Sequence, residues 1–359
     1  MKRVVITVDQ LYRAQPGGIG TYVRGLARGL ASLEDRDMDL IGLGPRGDAP
    51  AEVLDLPLRF ERAPLALRAL TRLWATWPVG VPRDSLVVHA TSMAGPFGGG
   101  ARGAVHSVAL HDLLWRDEPD AATAAGARFH EARLRQLAQR EDLRICTSSP
   151  VLGARLADEG FSASRIHPIR LGVDDDLGDP TPPKSVRALL AANGVEGPFT
   201  LYAGTREPRK NIESLVTAHR AARARHPELG ELVLVGSSGW GGVDTGDAVV
   251  LGVVARAMLR GLYRDASMLA YVPRAEGWGL PPVEALHAGT RVVASTTTPS
   301  VADNDLVVRV DPLDREAITE GLVEALAQSD DEAARARRRA SVAEMTWRNC
   351  ALDHLAAWQ

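Results

Sequence analysis

Cysteine is scarce in this sequence, and its scarcity excludes two kinds of site. The only two cysteines, Cys146 and Cys350, lie far apart along the chain. Two distant cysteines form neither the dense disulfide framework of small secreted domains nor a cysteine-rich zinc site. We therefore expect a protein of the reducing cytoplasm, without disulfides and without a bound metal.

Long apolar runs and an excess of one charge are also missing. No stretch approaches the roughly 18 to 20 apolar residues that span a bilayer, and the first apolar run is interrupted at Thr7 and Asp9. We therefore expect no signal peptide, and contact with the inner membrane face that is at most peripheral. The 42 basic and 45 acidic residues give a formal net charge of -3, which offers no electrostatic argument for nucleic-acid binding.

Short β-branched runs alternate with amphipathic helical patterns in two successive series. This alternation is typical of parallel sheets covered by helices. The first series has predicted strands at residues 4–8, 86–90, 105–110 and 143–147. The second has predicted strands at residues 199–203, 232–235, 248–251, 267–272 and 291–295.

The two series predict two domains. A chain of 359 residues exceeds what one core usually fills, and residues 172–184 combine proline, glycine and aspartate as linkers do. We expect an N-terminal domain over residues 1–175, a C-terminal domain over 184–330 and a helical segment over 331–359, which we predict to form one long helix. Doubly wound sheets bind ligands beyond the carboxyl ends of their strands. Two such domains facing each other would bind ligands in a central cleft.

The glycine-rich segment around Gly18 is the first candidate binding element. It separates the first strand from a helix that we predict to begin near Thr21, where backbone N–H groups can meet an anion. Val23 occupies the position at which the dinucleotide-binding pattern G-x-G-x-x-G requires glycine or alanine, which argues against an NAD-dependent dehydrogenase. A flexible turn without a ligand is the alternative.

A His-Asp pair ends the strand at residues 105–110. His111 could donate a hydrogen bond to a ligand hydroxyl or take part in proton transfer, or it could be structural. His89 lies inside an apolar strand, so we interpret it as a core residue with satisfied hydrogen bonds.

Three cations follow the strand at residues 199–203. Arg206, Arg209 and Lys210 suit the oxygens of a diphosphate, since arginine offers a planar fork and lysine a compact charge. The alternative is a solvated basic loop in which Glu207 is the partner.

Two glutamates enclose a glycine-rich turn. Glu276 precedes the turn, and Glu284 lies one turn inside the helix that Pro281 or Pro282 would start. The N–H groups of the turn can bind anionic oxygens, while a carboxylate can fix the vicinal hydroxyls of a ribose or a hexose. A glutamate in a first helical turn can also serve only the helix dipole.

Together these segments resemble the retaining glycosyltransferases of family 4, which have the GT-B fold. The resemblance lies in GGIGTYV, LHDL, TSSPVLGARL, LGVD, GTREPRKN and EGWGLPPVEALHAGTRVVAS, which stand in the order and spacing of the family. It extends from Val4 to about Ala327. It implies two Rossmann-like, doubly wound α/β domains that face a central cleft, followed by a C-terminal helix.

The resemblance also implies roles for individual residues. Glu276 approaches the donor sugar, Glu284 binds the ribose hydroxyls, and Arg209 with Lys210 holds the donor diphosphate. His111 contacts the transferred sugar, so His111 and Glu276 are the implied catalytic residues. The other implied donor-binding residues are Gly18, Thr205, Arg206, Gly277, Trp278, Gly279 and Leu280. The family uses no metal and no other cofactor, so Asp174, Asp175 and Asp176 are interpreted as linker.

The activity implied is transfer of a hexose from a nucleoside-diphosphate sugar to a glycan, a lipid-linked sugar or a small molecule. GDP-mannose is favoured over UDP- and dTDP-sugars. The alternatives are an inactive GT-B scaffold that binds a sugar nucleotide or a partner protein, and a GT-B epimerase or coupling enzyme. The chain departs from the family pattern just before Glu276, where it is one residue short, and at Arg291, where a proline is common. Residues 66–77 could form an amphipathic, membrane-facing helix or pack in the core.

Overall fold

The computed structural model describes residues 2–33, 37–97, 103–119, 122–173 and 180–359. The chain forms two compact units. Unit 1 comprises Met1–Gly172 and Met345–Gln359, and unit 2 comprises Val173–Glu344. The predicted linker residues Asp174, Asp175 and Asp176 lie outside the described residues.

Unit 1 contains, within its described residues, a sheet of seven parallel strands in the order β3-β2-β1-β4-β5-β6-β7. The strands are β1 Lys2–Thr7, β2 Met38–Gly44, β3 Arg59–Arg62, β4 Val87–Ala90, β5 Val105–Leu110, β6 Leu143–Thr147 and β7 Ile166–Pro168. The helices between them are α1 Gly17–Ala31, α2 Ala51–Leu54, α3 Leu67–Leu73, α4 Leu114–Asp117, α5 Ala124–Gln139 and α6 Pro150–Asp158. The strand order reverses between β1 and β4, where a doubly wound sheet places its ligand crevice.

Unit 2 contains six parallel strands among its described residues, in the order β10-β9-β8-β11-β12-β13. The strands are β8 Phe199–Ala203, β9 Glu231–Val235, β10 Val249–Gly252, β11 Met268–Tyr271, β12 Arg291–Ser295 and β13 Val308–Val310. The helices are α7 Pro183–Ala192, α8 Ile212–Arg225, α9 Arg256–Asp265, α10 Leu280–His287, α11 Arg315–Ala327 and α12 Glu332–Ser341. The order reverses between β8 and β11. Because parallel strands need right-handed crossovers, each reversal puts helices on both faces, which confirms the doubly wound class.

The central strands are buried on both faces, which explains their continuous apolar runs. Residues 4–6 of β1 and 268–271 of β11 are almost fully buried. Leu70 of α3 and Trp74, which directly follows the helix, pack in this core with Val5 and Ile41. Of the two alternatives for residues 66–77, packing in the core is therefore confirmed for Leu70 and Trp74. Trp77, at the end of the segment, is 66% exposed.

The prediction of one long terminal helix is wrong. Two helices occupy the segment: α12 belongs to unit 2, whereas α13, Trp347–Ala357, belongs to unit 1. Thr346 ends the connection between them as the N-cap of α13, since its side chain accepts a hydrogen bond from the Asn349 N–H at 3.1 Å. An N-cap threonine satisfies a backbone N–H group in the first turn of the helix that follows it, so Thr346 favours the start of a new helix here.

Glycines in α1 allow α13 to pack closely against it. A Cβ atom added at Gly25 would lie 2.0 Å from a ring carbon of Trp347, and one added at Gly29 would lie 2.1 Å from the Trp347 carbonyl oxygen. Real side chains cannot make such contacts, so the spacing of the two glycines is what permits this helix pair.

Candidate functional site

The basic segment after β8 is an ordered turn. Pro208–Lys210 form one turn of 3₁₀ helix, and Asn211 then adopts the left-handed conformation at φ 59°. Asparagine tolerates this region better than most residues. The Asn211 side-chain amide donates to the carbonyl oxygens of Val272 at 3.1 Å and Pro312 at 2.7 Å. These bonds place Arg209 and Lys210 beside the segment that follows β11.

Glu276 is the acceptor of a buried polar cluster in that segment. Its Oε2 atom accepts hydrogen bonds from the Lys210 ammonium group and from the Tyr271 hydroxyl, the latter at 2.5 Å. Lys210 Nζ also donates to the Tyr271 oxygen at 2.6 Å, and the Arg209 guanidinium lies 3.4 Å from the carboxylate. Sequence reasoning identified both cations and the glutamate but missed Tyr271, because the last residue of a buried strand gives no signal of a polar role.

Electrostatics keep this cluster charged. Burial opposes ionisation of Glu276, but Lys210 and Arg209 outweigh it and lower the pKa of the carboxyl group to about 2. Burial lowers the pKa of Lys210, and the charge of Glu276 opposes that effect. Lys210 is only 7% exposed, which is at odds with a solvated basic loop, although Glu207 does pair with Arg209 at 2.6 Å.

Thr205 and Arg206 form the first part of this turn. The Thr205 carbonyl oxygen accepts a hydrogen bond from the Tyr202 hydroxyl at 3.0 Å. The Arg206 guanidinium donates to the Gly236 carbonyl oxygen at 2.7 Å. In the structure Arg206 thus forms a hydrogen bond to the loop after β9. Its role in binding the donor remains a prediction.

The glycine-rich turn ends at the N-terminus of α10. Gly279 has φ 93°, and a Cβ atom there would lie 2.6 Å from Thr298 Cγ2, so only glycine fits. Ser300 fixes the turn by donating from its backbone N–H to the Trp278 carbonyl at 3.0 Å. Of the first four N–H positions of α10, two belong to prolines, which have none. The amides available to an anion are therefore those of the turn itself and of Leu280.

Two further groups of the turn are placed for hydrogen bonding. The Gly277 N–H donates to Glu276 Oε1 at 3.2 Å. The indole N–H of Trp278 is buried and has no hydrogen-bond partner among the described residues. A buried donor without a partner is costly, so a ligand that accepted this hydrogen bond would gain from it.

Glu284 is held by α9 rather than by the Glu276 cluster. Its Oε2 atom accepts from the Tyr263 hydroxyl at 2.8 Å, and its Oε1 atom lies 3.4 Å from the Arg256 guanidinium. Burial raises the pKa of Tyr263 well above its ordinary value, so the hydroxyl stays a donor. These residues line a cavity of about 280 Å³ with Leu259 and Arg260. The sequence analysis did not identify Arg256 or Tyr263 as site residues. Their spacing of seven residues on α9 puts both on one face of the helix.

Gly18 belongs to a helix and not to a loop, which corrects the prediction that the helix begins near Thr21. The helix α1 begins at Gly17, and the residues between it and β1 include the 3₁₀ turn Asp9–Tyr12. A Cβ atom at Gly17 or Gly18 would meet nothing within 4 Å. The start of α1 is therefore uncrowded at these two glycines, which is compatible with the approach of an anion to the helix terminus.

His111 is fixed at the carboxyl end of β5. Its Nε2 atom donates to the Thr91 carbonyl oxygen at 2.9 Å, and its own carbonyl accepts from the Ser148 hydroxyl at 2.6 Å. Burial lowers the pKa of the imidazole, which is therefore neutral at pH 7. The Asp112 carboxylate accepts a hydrogen bond from the Leu114 N–H at 3.1 Å, and its charge acts on the His111 pKa in the opposite direction to burial.

The candidate residues thus form two groups, one in each unit. Gly18 and His111 follow β1 and β5 of unit 1, while Arg209, Lys210 and Glu276 follow β8 and β11 of unit 2. Each group lies at the carboxyl ends of strands, as predicted, and the strand order shows that these strands are near the reversal in each sheet. The short segment before Glu276 does not prevent its contact with Lys210. None of the described helices combines the length and the apolar character needed to cross a bilayer.

Comparisons with known proteins match both units. The family model "Glycosyl transferase 4-like domain" matches residues 17–172, and "Glycosyl transferases group 1" matches residues 197–328. The chain is 32% identical over 217 residues to O-antigen chain mannosyltransferase B of Escherichia coli, and this match spans only 55% of each chain. It is 27% identical over 369 aligned residues to alpha-maltose-1-phosphate synthase of Mycolicibacterium smegmatis, covering 93% of each chain.

The fold is also found in solved structures. HepE of Anabaena, in a crystal structure of its complex with UDP and glucose, superposes with a TM-score of 0.71 at 16% sequence identity. The superposition covers 99% of this chain and 98% of HepE. At this identity the likeness concerns the fold, and it agrees with two doubly wound units.

Proposed function

Because this chain belongs to the glycosyltransferases with a family 4-like first domain and a group 1 second domain, we propose that it transfers a hexose from a nucleoside-diphosphate sugar. The matches to both family models confirm the resemblance seen in the motifs. The proposed reaction retains the configuration of the sugar, needs no metal, and delivers the hexose to a glycan, a lipid-linked sugar or a small molecule.

The observation that carries this proposal is the cluster of Glu276, Lys210 and Arg209 beside the N-terminus of α10. Departure of a nucleoside diphosphate builds negative charge on phosphate, which cations and amide groups stabilise. Lys210 has three N–H donors, of which Tyr271 and Glu276 occupy two. The third suits a phosphate oxygen of the donor. Arg209 and the amides of Gly279 and Leu280 supply the remaining contacts.

The charge state of Glu276 supports a role in stabilisation. A carboxyl group with a pKa of about 2 is ionised at neutral pH, so it is a poor general acid. Because two cations and a hydroxyl already hold its Oε2 atom, its best role is to stabilise oxocarbenium character on the sugar. Retention would then follow from attack on the same face as the leaving group, with the donor phosphate taking the acceptor's proton. This differs from the carboxylate pairs of glycoside hydrolases.

The names of the relatives and the ligands in their structures indicate which sugar nucleotides to test first as donors. One is named an O-antigen chain mannosyltransferase, which favours GDP-mannose and a polysaccharide acceptor in bacteria. The structure of HepE contains UDP and glucose, which makes UDP-glucose the second donor to try. The cytoplasm, where sugar nucleotides are made, is the proposed compartment, with peripheral membrane contact at most.

Binding of the nucleotide is the first test. Thermal unfolding is measured with GDP, UDP, dTDP and ADP, because a ligand that binds only the native state stabilises it by about 2.7 kcal/mol at 100 times its Kd. We expect one base to raise the melting temperature more than the others, and we expect Glu284→Gln to reduce that shift. Absence of a shift with all four would contradict the proposed donor class.

Turnover is the second test. The protein is incubated with the sugar nucleotide of the preferred base in EDTA, and release of the nucleoside diphosphate and the anomeric configuration of the product are followed by NMR. We expect turnover with retention. Binding without turnover over a broad donor panel would instead support an inactive scaffold, and inversion would contradict the assigned mechanism.

A further inference from the structure

A buried polar network lies in unit 1, and of its five side chains only Tyr22 belongs to a motif named above, GGIGTYV. The Tyr22 hydroxyl lies 2.6 Å from His89 Nε2 and 2.8 Å from His354 Nε2. His89 Nδ1 lies 2.8 Å from the Ser107 hydroxyl, which also accepts from the Trp358 indole N–H at 2.8 Å. All five side chains are at most 5% exposed. The network thus joins α1, β4 and β5 to the terminal helix.

The donor and the acceptor of each hydrogen bond in this network can be assigned by starting at His354. His354 Nδ1 lies 2.8 Å from the Cys350 carbonyl oxygen, which only accepts, so Nδ1 carries the proton. Burial lowers the pKa of His354 to about 4 and that of His89 well below its ordinary value, so both rings are neutral at pH 7. His354 Nε2 must therefore accept from Tyr22. The Tyr22 oxygen in turn accepts from His89 Nε2, and His89 Nδ1 accepts from Ser107.

The same tyrosine packs against His111. The ring centroids of Tyr22 and His111 are 4.9 Å apart at an interplanar angle of 72°, an edge-to-face contact. The bond from His111 Nε2 to the Thr91 carbonyl puts the proton on Nε2. His111 Nδ1 is then an unprotonated acceptor, and none of the described residues forms a hydrogen bond to it. It is thus available to a hydroxyl of the substrate.

We propose that Tyr22 and His354 are positioning residues, which hold His111 so that its unprotonated Nδ1 accepts a hydrogen bond from a substrate hydroxyl. This inference rests on the proposed function, in which His111 contacts the transferred sugar. It differs from the sequence-based alternative in which His111 donates a hydrogen bond to a ligand hydroxyl. It also gives the terminal helix a role in the site, since α13 supplies His354 and Trp358.

A bound metal is the competing account of this cluster. His89, His354 and Cys146 each offer a ligand atom, and these atoms lie within 4.8 Å of one another. The geometry favours hydrogen bonding, because the Tyr22 hydroxyl is already within hydrogen-bond distance of both Nε2 atoms.

The tautomers are tested by long-range ¹H–¹⁵N NMR on the full chain labelled with ¹⁵N-histidine. We expect protons on His111 Nε2, His89 Nε2 and His354 Nδ1. Protonation of His111 at Nδ1 would overturn the proposal. Addition of Zn²⁺ at one equivalent is expected to leave the His89 and His354 signals unchanged, and metal-shifted signals from both would overturn it in favour of a metal site. This test needs no turnover, so it stands even if the proposed function fails.

The positioning role is tested with Tyr22→Phe and His354→Gln. Tyr22→Phe keeps the ring and removes both hydrogen bonds of the hydroxyl, and His226→Gln, in unit 2, is the matched control. With whichever sugar nucleotide the protein turns over, we expect kcat to fall about tenfold to hundredfold, since small misplacements of a site group cost rates of this order. The nucleotide Kd should change less than twofold. Variants that lower the melting temperature but leave kcat and the His111 tautomer unchanged would show that the network is only structural.

Discussion

At the scale of single residues, the ion pair between Glu276 and Lys210 is the most consequential contact of unit 2. Both side chains are largely removed from water, and each has the other as its nearest opposite charge. Removing one partner of a buried pair leaves an uncompensated charge, which typically costs about 3–5 kcal/mol. The pair therefore couples the stability of unit 2 to the chemistry proposed for it.

We expect Glu276→Gln to lose turnover by at least about a hundredfold, as removal of a stabilising group does. The variant should also unfold at a lower temperature. The carboxyl pKa of about 2 lies below its ordinary 4.5, so the stability from ionised Glu276 is complete above pH 4.5 and is lost as the pH falls towards 2. Urea unfolding should be measured between pH 3 and pH 8. We expect the difference in unfolding free energy between the variant and the wild type to become smaller below pH 4.5. Glu316→Gln, at an exposed position, is the control, and equal pH dependence in both variants would contradict the account.

Asp9 gives a prediction in which stability changes with pH in the opposite direction. It follows β1, is fully buried, and has no hydrogen-bond partner for either carboxylate oxygen among the described residues. Burial raises its pKa above 3.8, so the folded state favours the protonated form. Stability from this group is present below pH 3.8 and is lost as the pH rises through the folded-state pKa.

We expect Asp9→Asn to be more stable than wild type at pH 8 and to lose that advantage towards pH 4. Thermal unfolding across this range measures the difference. Asp303→Asn, an exposed change of the same kind, should show no such trend. A destabilised Asp9→Asn at pH 8 would mean that the carboxylate has a partner that stabilises its charge.

At the scale of elements, the contact between α1 and α13 depends on the absence of side chains at Gly25 and Gly29. The clash at Gly29 would be with backbone, which cannot rotate away as a side chain can. We expect Gly29→Ala to cost about 1–3 kcal/mol of unfolding free energy, in spite of alanine's better helix propensity. Gly197→Ala, where a Cβ meets nothing within 4 Å, is the control. Equal urea midpoints for the two variants would contradict close packing of this helix pair.

Much of the element pattern was predictable, because buried parallel strands are continuous apolar runs. The start of α1 was not, since the glycines at residues 17, 18 and 20 indicate a turn when only local preference is considered. Gly20 is required because a Cβ there would lie 2.3 Å from the Cβ of Pro16, the residue before the helix, and this contact exists only once the helix has formed. The break before α13 was readable in principle from Thr346, a good N-cap, but the arginine-rich helical pattern before it concealed the boundary.

At the scale of the whole molecule, the chain crosses from unit 1 to unit 2 and returns to unit 1 with its last residues. The motifs predicted which strand ends carry the candidate residues, because each motif is local. They did not predict the network around Tyr22. Its members stand at positions 22, 89, 107, 354 and 358, and only the return of α13 brings them together. Contacts between such distant positions have no local signature.

This arrangement predicts a selective effect of deleting residues 345–359. The deletion removes Trp347 from α1 and His354 with Trp358 from the network, whereas the described contacts within unit 2 are untouched. Amide hydrogen exchange reports local stability along the chain. We expect protection to fall in α1, β4 and β5, and to stay at wild-type values in β8 and α8. Because unit 2 keeps the Glu276 cluster, the nucleotide that stabilises the full chain should still protect β8 and α10 in the deletion variant. Loss of protection spread evenly over both units would contradict the assignment of α13 to unit 1.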